Sequence, residues 1–401
     1  KVGSDDFYAN LESTTAGMQH ISIGRFPASN LAELQNIIDK TISHINSDNL
    51  SNINTRVLLV CDDERNTNND TVNWWETIHI LNGESKIVPQ IPGNIFTDKL
   101  YMTEYPFEYS TTTGLLLKPR AADELIRKLQ EGVNLFIYVG HGSPSQLAHE
   151  QLLTTSNYSN LSNYNKYYFQ IGATCDFGVF NNPYTRSLSE KMLMDRNKGS
   201  IGLINAVSSV GINSNELLVR SILSATFQDS LNKLTIGEAL KEGKTNYPGA
   251  NSASYMLIGD PALRFFKDKE VINAPDSVVL KTLILDSLTT TIPDSIGIDV
   301  SNGIINTLII DSEREVKYFN EEEWIPDDDD TLRYTLPGNI ILSALSTLSD
   351  GQSTTKFILP KDLTYGYDKG KIVYYGYNPD KVEFSGHTPK VSITGGGVDT
   401  I

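Results

Sequence analysis

Two cysteines, Cys61 and Cys175, are all that 401 residues contain. So few exclude a disulfide framework and a cysteine-rich zinc module, and they single out each thiol for its own explanation. The redox compartment stays open. No stretch approaches the roughly 20 apolar residues needed to span a bilayer, while a hydrophobic fraction of 39% is that of a globular chain. Positive charge is also scarce: 33 Lys+Arg against 49 Asp+Glu leave a net charge of −16. With no basic stripe interleaved with aromatics, a phosphate backbone would be repelled, so nucleic acid is not an expected partner. An initiator Met and an apolar signal stretch are missing before "KVGSDDFYANL", and the expectation is a processed protein or a fragment of a longer one. No internal repeat appears.

What is present is an alternation. The near-continuous apolar runs "HISIGRFP" (20–27), "RVLLVCDD" (56–63), "NLFIYVGH" (134–141), "YYFQIGATC" (167–175) and "SIGLINAV" (200–207) read as buried parallel strands. Between them, 31–45, 73–81, 121–130, 187–195 and 215–231 carry apolar residues at spacings of three and four, as crossover helices do. The pattern predicts an α/β domain over 1–268, a parallel sheet with helices on both faces. After "YMLIGDPALRFF" (255–266) the helical period gives way to short alternating runs such as 303–312, 354–365 and 370–377, which predict a β-sandwich domain over 269–401. The acidic stretch "NEEEWIPDDDDT" (320–331) lacks the glycine and spaced ligands of a calcium loop and reads as a solvated hairpin tip. Trp74 and Trp75 read as helix packing plus one exposed ring.

His141 and Cys175 each follow an apolar run. If those runs are neighbouring parallel strands, both side chains emerge at the sheet's carboxyl edge, where open α/β sheets place their active sites. A thiolate attacks carbonyls, and an adjacent imidazole can take its proton and later hand one to the leaving amine. The flanking glycines let a substrate backbone approach, and they leave the Gly142 N–H free to face an oxyanion, with the Cys175 N–H as a second donor. Against this stand ordinary structural roles: a buried cysteine is a small hydrophobe, and Gly-His-Gly is a serviceable turn. For Cys61 the structural reading is retained.

The same residues resemble those of the gingipain-type cysteine peptidases, family C25 of the caspase-like clan, in which a histidine strand end precedes the nucleophilic cysteine by one strand. "IGRFPASNLAELQNIIDKTISHI" (23–45), the segment 148–177 and "YMLIGDPALRFF" (255–266) are similar to that family's strand, linker and domain ending. "ATCDF", "FNNP", "SEKML" and the tail stretches 357–377 and 385–397 resemble its type IX secretion sortase branch, although that branch has aspartates at "FNNP" and Trp at Leu147.

The resemblance implies a caspase-like, flavodoxin-like sheet whose amino-terminal part is missing, followed by an Ig-like domain. It implies a peptidase with Cys175 as nucleophile, His141 as general acid/base and Gly142 as oxyanion donor. The residue orienting the imidazole would come from "VCDDER": Asp63, with Glu64 the alternative and Asp62 beside it. The primary pocket would be walled by Thr174 and by 208–216, with Ser208, Ser209 and Glu216. Those residues are mostly small and uncharged, which predicts little cleavage after Arg or Lys. Asp260 would cap a structural turn.

The implied substrate is the carboxy-terminal signal domain of secreted cargo, at the cell or outer-membrane surface, with secretion-complex partners, no transmembrane segment, no cofactor and no catalytic metal. A structural calcium stays open. The competing functions are a general secreted endopeptidase and a catalytically inactive adhesion or assembly module.

Overall fold

The computed structural model describes residues 3–11, 19–46, 51–66, 71–228, 234–294, 297–319 and 331–396. Six strands build the first sheet: β1 (Arg56–Cys61), β2 (Phe96–Tyr101), β3 (Leu135–Val139), β4 (Tyr168–Ala173), β5 (Ser200–Ala206) and β6 (Tyr255–Gly259), in the order 2-1-3-4-5-6. The first five run parallel and β6 is antiparallel to β5. The order 2-1-3-4-5 is that of flavodoxin-like sheets, whose switch point lies between β1 and β3.

Period-two alternation sorts the strand residues onto two faces. Leu59, Ile137 and Ile171 point to one core, which packs against α4 (Ile212–Gln228) and α5 (Ile236–Asn246). Leu58, Val60 and Phe136 point to the other, covered by α1 (Leu31–Asn46), α2 (Pro119–Glu131) and α3 (Leu188–Met194). Helix starts follow local chemistry. Pro119 opens α2, while Ser187 with Glu190 and Thr235 with Glu238 form capping boxes at α3 and α5.

Two strand assignments need correction. "HISIGRFP" does not enter the sheet as a strand: only Arg25 bridges Ile258, and Arg25 is held instead by the Asp5 carboxylate at 2.5 Å. Beside that bridge the Gly24 backbone lies close against β6, where a Cβ would collide with the Gly259 carbonyl. Conversely, "FTDKLY" (96–101) is a strand that the pattern did not single out. It lies at the sheet edge, where Asp98 can pair with Lys128 at 2.6 Å and Lys99 with Glu84 at 2.6 Å, so its hydropathy is broken by charge.

The second sheet contains β7 (Glu270–Val271), β8 (Ser277–Lys281), β9 (Leu285–Thr291), β10 (Asn302–Ile310), β13 (Ile340–Ser349), β14 (Gln352–Ile358), β15 (Gly366–Tyr377) and β16 (Glu383–Thr394). It runs 7-16-15-10-13-14-9, with β8 also on β16. Only two residue pairs join β13 to β14, so the sheet curls over there and closes a sandwich around Ile309, Leu348, Phe357 and Val391. The strands β11 (Arg314–Phe319) and β12 (Thr331–Leu336) form a separate two-stranded hairpin. The acidic stretch between these strands in sequence, 320–330, lies outside the described residues. Among the described residues no helix is long and apolar enough to cross a membrane.

Candidate active site

β3 and β4 are neighbours in register, with Val139 opposite Ala173 and the Gly140 N–H donating to the Ala173 carbonyl at 3.2 Å. The residues that follow, His141 and Cys175, therefore leave the sheet side by side at its carboxyl edge. Two glycines make this approach possible. A Cβ on Gly140 would collide with Asp62, and one on Gly142 would collide with Thr174 Oγ1 and lie 3.1 Å from the Cys175 carbonyl. Gly142 stands opposite Leu147 in a short hairpin, flanked by the Ala148 N–H to His141 carbonyl bond. This is a non-hydrogen-bonded pair, so the Gly142 N–H points away from the hairpin. Immediately after the cysteine, Asp176 takes a left-handed φ of 56° and turns the chain out of the sheet. Cys175 is half-buried, and its Sγ faces Val210, whose N–H lies at 3.4 Å and whose carbonyl lies at 3.5 Å.

The carboxylate on the imidazole is Glu76: its Oε2 lies 2.9 Å from His141 Nε2, while its Oε1 accepts from Asn73 Nδ2 at 3.2 Å. Neither Asp63 nor Glu64 makes this contact. Asp63 is ion-paired with buried Lys118 at 2.6 Å, and Glu64 accepts from the Tyr318 hydroxyl at 2.7 Å. Asp62 serves the histidine differently, accepting from its backbone N–H at 2.9 Å and from the Tyr138 hydroxyl at 3.1 Å. The strand end that was expected to orient the imidazole thus holds the backbone instead. Glu76 escaped sequence reading because it sits in the 3-10 turn Trp74–Thr77, within a stretch read as a crossover helix. The available signal was an acid in an otherwise apolar segment, three residues before His79.

Charge follows from this packing. Burial by itself would push the His141 imidazole down, but the Glu76 bond and the charges of Asp62, Glu76 and Asp63 outweigh it and raise the pKa. Glu76 is moved the opposite way: desolvation alone would raise it, yet the His141 bond and charge hold it below the ordinary carboxyl value. Two further imidazoles flank the first, His79 at 5.4 Å and His149 at 4.6 Å between ring centroids. Burial, then the His141 charge, pushes His79 down to about 3 and also lowers His149, leaving His141 as the ring favoured to carry the proton. Cys61 is fully buried, and desolvation followed by the Glu84 charge raises its thiol well above the ordinary value.

The expected pocket residues divide. Ser208 and Ser209 lie beside the nucleophile's turn, where the Ser208 carbonyl accepts from the Asp176 N–H at 3.3 Å and Ser209 Oγ lies 3.4 Å from Asp176 Oδ2. Thr174 is wholly buried beneath Gly142. Glu216 is buried on α4 and paired with Arg220 at 3.4 Å. Asp260 accepts from the Ala262 N–H at 2.9 Å within its turn. Of the two tryptophans, Trp75 is exposed and Trp74 stacks on Tyr318.

Among the described residues, those that could hold a cation are Asp62, Asp63 and Glu150, whose ligand atoms lie within 4.8 Å of one another in the interior. The Lys118 ammonium already occupies Asp63, so a divalent ion there would have to displace a buried ion pair. Burial, then the charges of Asp62 and Asp63, raises Glu150 to about 10, and burial with Asp63 raises Asp62 to about 7. Protons can therefore relieve the same excess charge. A cleft of about 730 Å³ opens between β2 and the second domain and is not lined by His141, Cys175 or Glu76.

The family model of peptidase family C25 matches residues 1–266. Among solved structures, the chain is similar to the Arg-specific cysteine proteinase gingipain R (RgpB), with TM-score 0.51, 16% identity, and 98% of this chain and 79% of that one covered. It is similar also to the complex of Porphyromonas gingivalis RgpB pro- and mature domains, with TM-score 0.50, 16% identity, and coverage of 98% and 81%. Dimeric latent PorU from Porphyromonas gingivalis matches with TM-score 0.32 and 16% identity over 99% of this chain and 32% of that one. No curated protein matches by sequence.

Proposed function

The chain belongs to peptidase family C25, and from that premise we propose that it cleaves peptide bonds with Cys175 as nucleophile, His141 as general acid/base and Glu76 as the acid that orients the imidazole. The observation that carries the assignment is the 2.9 Å contact between His141 Nε2 and Glu76 on the strand end next to Cys175. In this reading the Cys175 sulfur bonds to the substrate carbonyl carbon and the C–N bond breaks as His141 passes its proton to the departing amine. Water, or an acceptor amine, then cleaves the thioester and restores the thiol. Gly142 N–H, turned away from its hairpin, and Cys175 N–H are the candidate donors for the oxyanion.

For the substrate, we propose the carboxy-terminal signal domain of secreted cargo, cleaved at the cell surface and released by hydrolysis or by transfer to an amine. The support is the resemblance of "ATCDF", "SEKML" and the tail stretches 357–377 and 385–397 to the type IX sortase branch. The pairing of Glu216 with Arg220 favours small or uncharged residues before the cut, because that carboxylate is already balanced within its own helix and is not left to meet a substrate cation.

A mixed peptide library scored by mass spectrometry tests the proposal. Cleavage after small or uncharged residues, lost in Cys175→Ala, is the expected result. Dominant cleavage after Arg that disappears in Glu216→Gln would overturn the specificity and favour a general endopeptidase. Full cleavage by Cys175→Ala would overturn the mechanism.

A further inference from the structure

We infer that the β11–β12 hairpin of the second domain is a positioning element for Glu76 and that Tyr318 is the residue through which it acts. The inference rests on the reading of Glu76 as the partner of the catalytic imidazole.

The hairpin belongs to the second domain by sequence but to the first by packing. Its burial has a period of two: Glu315, Lys317 and Arg333 are exposed, whereas Leu332 and Tyr334 are buried in the core of the first domain, with Val316 and Tyr318 packed against it. Polar contacts fix it from the far side. Arg314 pairs with Glu104 at 2.6 Å, Lys99 Nζ donates to the Thr335 carbonyl at 2.6 Å, and the Tyr334 hydroxyl lies 2.9 Å from Thr103 Oγ1.

Tyr318 then grips two points that bracket Asn73. Its ring stacks on Trp74 at 5.9 Å between centroids and 14° between planes, and its hydroxyl donates to Glu64 Oε1 at 2.7 Å. The Glu64 carbonyl accepts from the Asn73 N–H at 2.7 Å, and Asn73 Nδ2 reaches Glu76 Oε1. Trp74 opens the 3-10 turn that carries Glu76, and its carbonyl accepts from Thr77 Oγ1 at 2.7 Å. A single 3-10 turn has little rigidity of its own. Loss of the Tyr318 contacts frees the amino-terminal end of the segment that aims Glu76 at His141.

The charged or titratable groups facing His141 are Glu76, His79, His149, Asp62 and Asp63. Of these, Glu76 sits on the turn that Tyr318 holds through Trp74, while Asp62 and Asp63 sit on the strand end that Tyr318 touches at Glu64. Weakening Tyr318 should therefore mimic, in part, the removal of the Glu76 carboxylate. The test is the titration of His141 followed by histidine NMR on the full chain carrying Cys175→Ala, assigned with His141→Gln, alongside steady-state kinetics on chains that retain Cys175.

Glu76→Gln should move the His141 midpoint to lower pH, Tyr318→Leu should move it part of the way, and Tyr318→Phe, which keeps the stacking, should move it less. The kcat of Tyr318→Leu should fall about 5- to 20-fold, a partial loss of general acid/base catalysis, with KM within about twofold. Lys317→Ala, on the outward face, should change nothing. If Tyr318→Leu and Tyr318→Phe fold and keep the parent His141 titration, Tyr318 is merely structural and the inference fails. If Glu76→Gln also leaves that titration unmoved, it is the acid–imidazole reading itself that fails.

Discussion

At the end of β1 the chain runs Cys61-Asp62-Asp63-Glu64 with every side chain buried, whereas just past β4 it runs Cys175-Asp176 with the thiol half-buried and the backbone turned by a left-handed residue. Both ends lie on the same edge of the same sheet, and both carry a cysteine and acids. The first is covered by the segment 73–87 and the second is not. A Cβ on Gly83 would lie 2.6 Å from Cys61 Sγ, and Asp63 is spent on Lys118. Residue type is therefore a poor guide to chemistry at a strand end. What separates a reactive thiol from a packed one is whether the chain behind it is covered and whether a base stands beside it.

The strongest way to break that contrast is to delete each thiol. Cys175→Ala should abolish peptide cleavage with little change in melting temperature. Cys61→Ala should keep full turnover and lose about 1 kcal/mol of stability for the small cavity it leaves. Equal loss of activity in both would mean that the two ends are not functionally distinct.

Next in size is the contrast between the two acids. Asp63→Asn strips the partner from a buried ammonium and should cost about 3–5 kcal/mol in urea unfolding. Glu76→Gln should leave stability nearly unchanged while lowering kcat about 100-fold or more, the range for a misdirected general base. Because His141 is raised by Glu76, the limb of the pH–rate profile that requires imidazolium should also move to lower pH in Glu76→Gln. An unshifted limb would show that the carboxylate does not tune the ring.

Alkylation compares the thiols in the unaltered protein. With substoichiometric iodoacetamide at neutral pH, Cys175 should be modified about 100-fold faster than Cys61, whose buried thiol is held protonated. Peptide mapping reads the ratio directly, and preferential loss of Cys61 would reverse the comparison.

A pH-dependent effect sharpens the picture of the covered end. Glu150 is raised to about 10 from an ordinary 4.5. The stability gained by keeping it protonated is complete below about 4.5 and is lost as pH rises toward 10. Glu150→Gln cannot ionise and should therefore gain stability over the parent progressively from pH 5 to pH 8, measured by urea melts. A constant difference across that range would place the excess charge elsewhere.

Legibility in the sequence tracked how uniformly each segment is buried. β1, β3, β4 and β5 are fully buried along their length and so stand out as apolar runs. β2 is an edge strand whose Asp98 and Lys99 find partners in space, and its pattern gives no such run. "HISIGRFP" has the right composition for a strand but only one bridging residue.

The site divides in the same way. His141 and Cys175 could be read from glycine and cysteine at the ends of apolar runs, since strand direction and register make neighbours of residues that leave adjacent parallel strands. That much the sequence determined by itself: a sheet, its carboxyl edge, and the imidazole and thiol that leave it side by side. The choice of Glu76 over Asp63 was made only in three dimensions, where a 3-10 turn that forms no part of the sheet is aimed by Asn73 and by the stacking of Trp74 on Tyr318. No sequence period encodes that direction, because it depends on where a hairpin from the far end of the chain comes to rest.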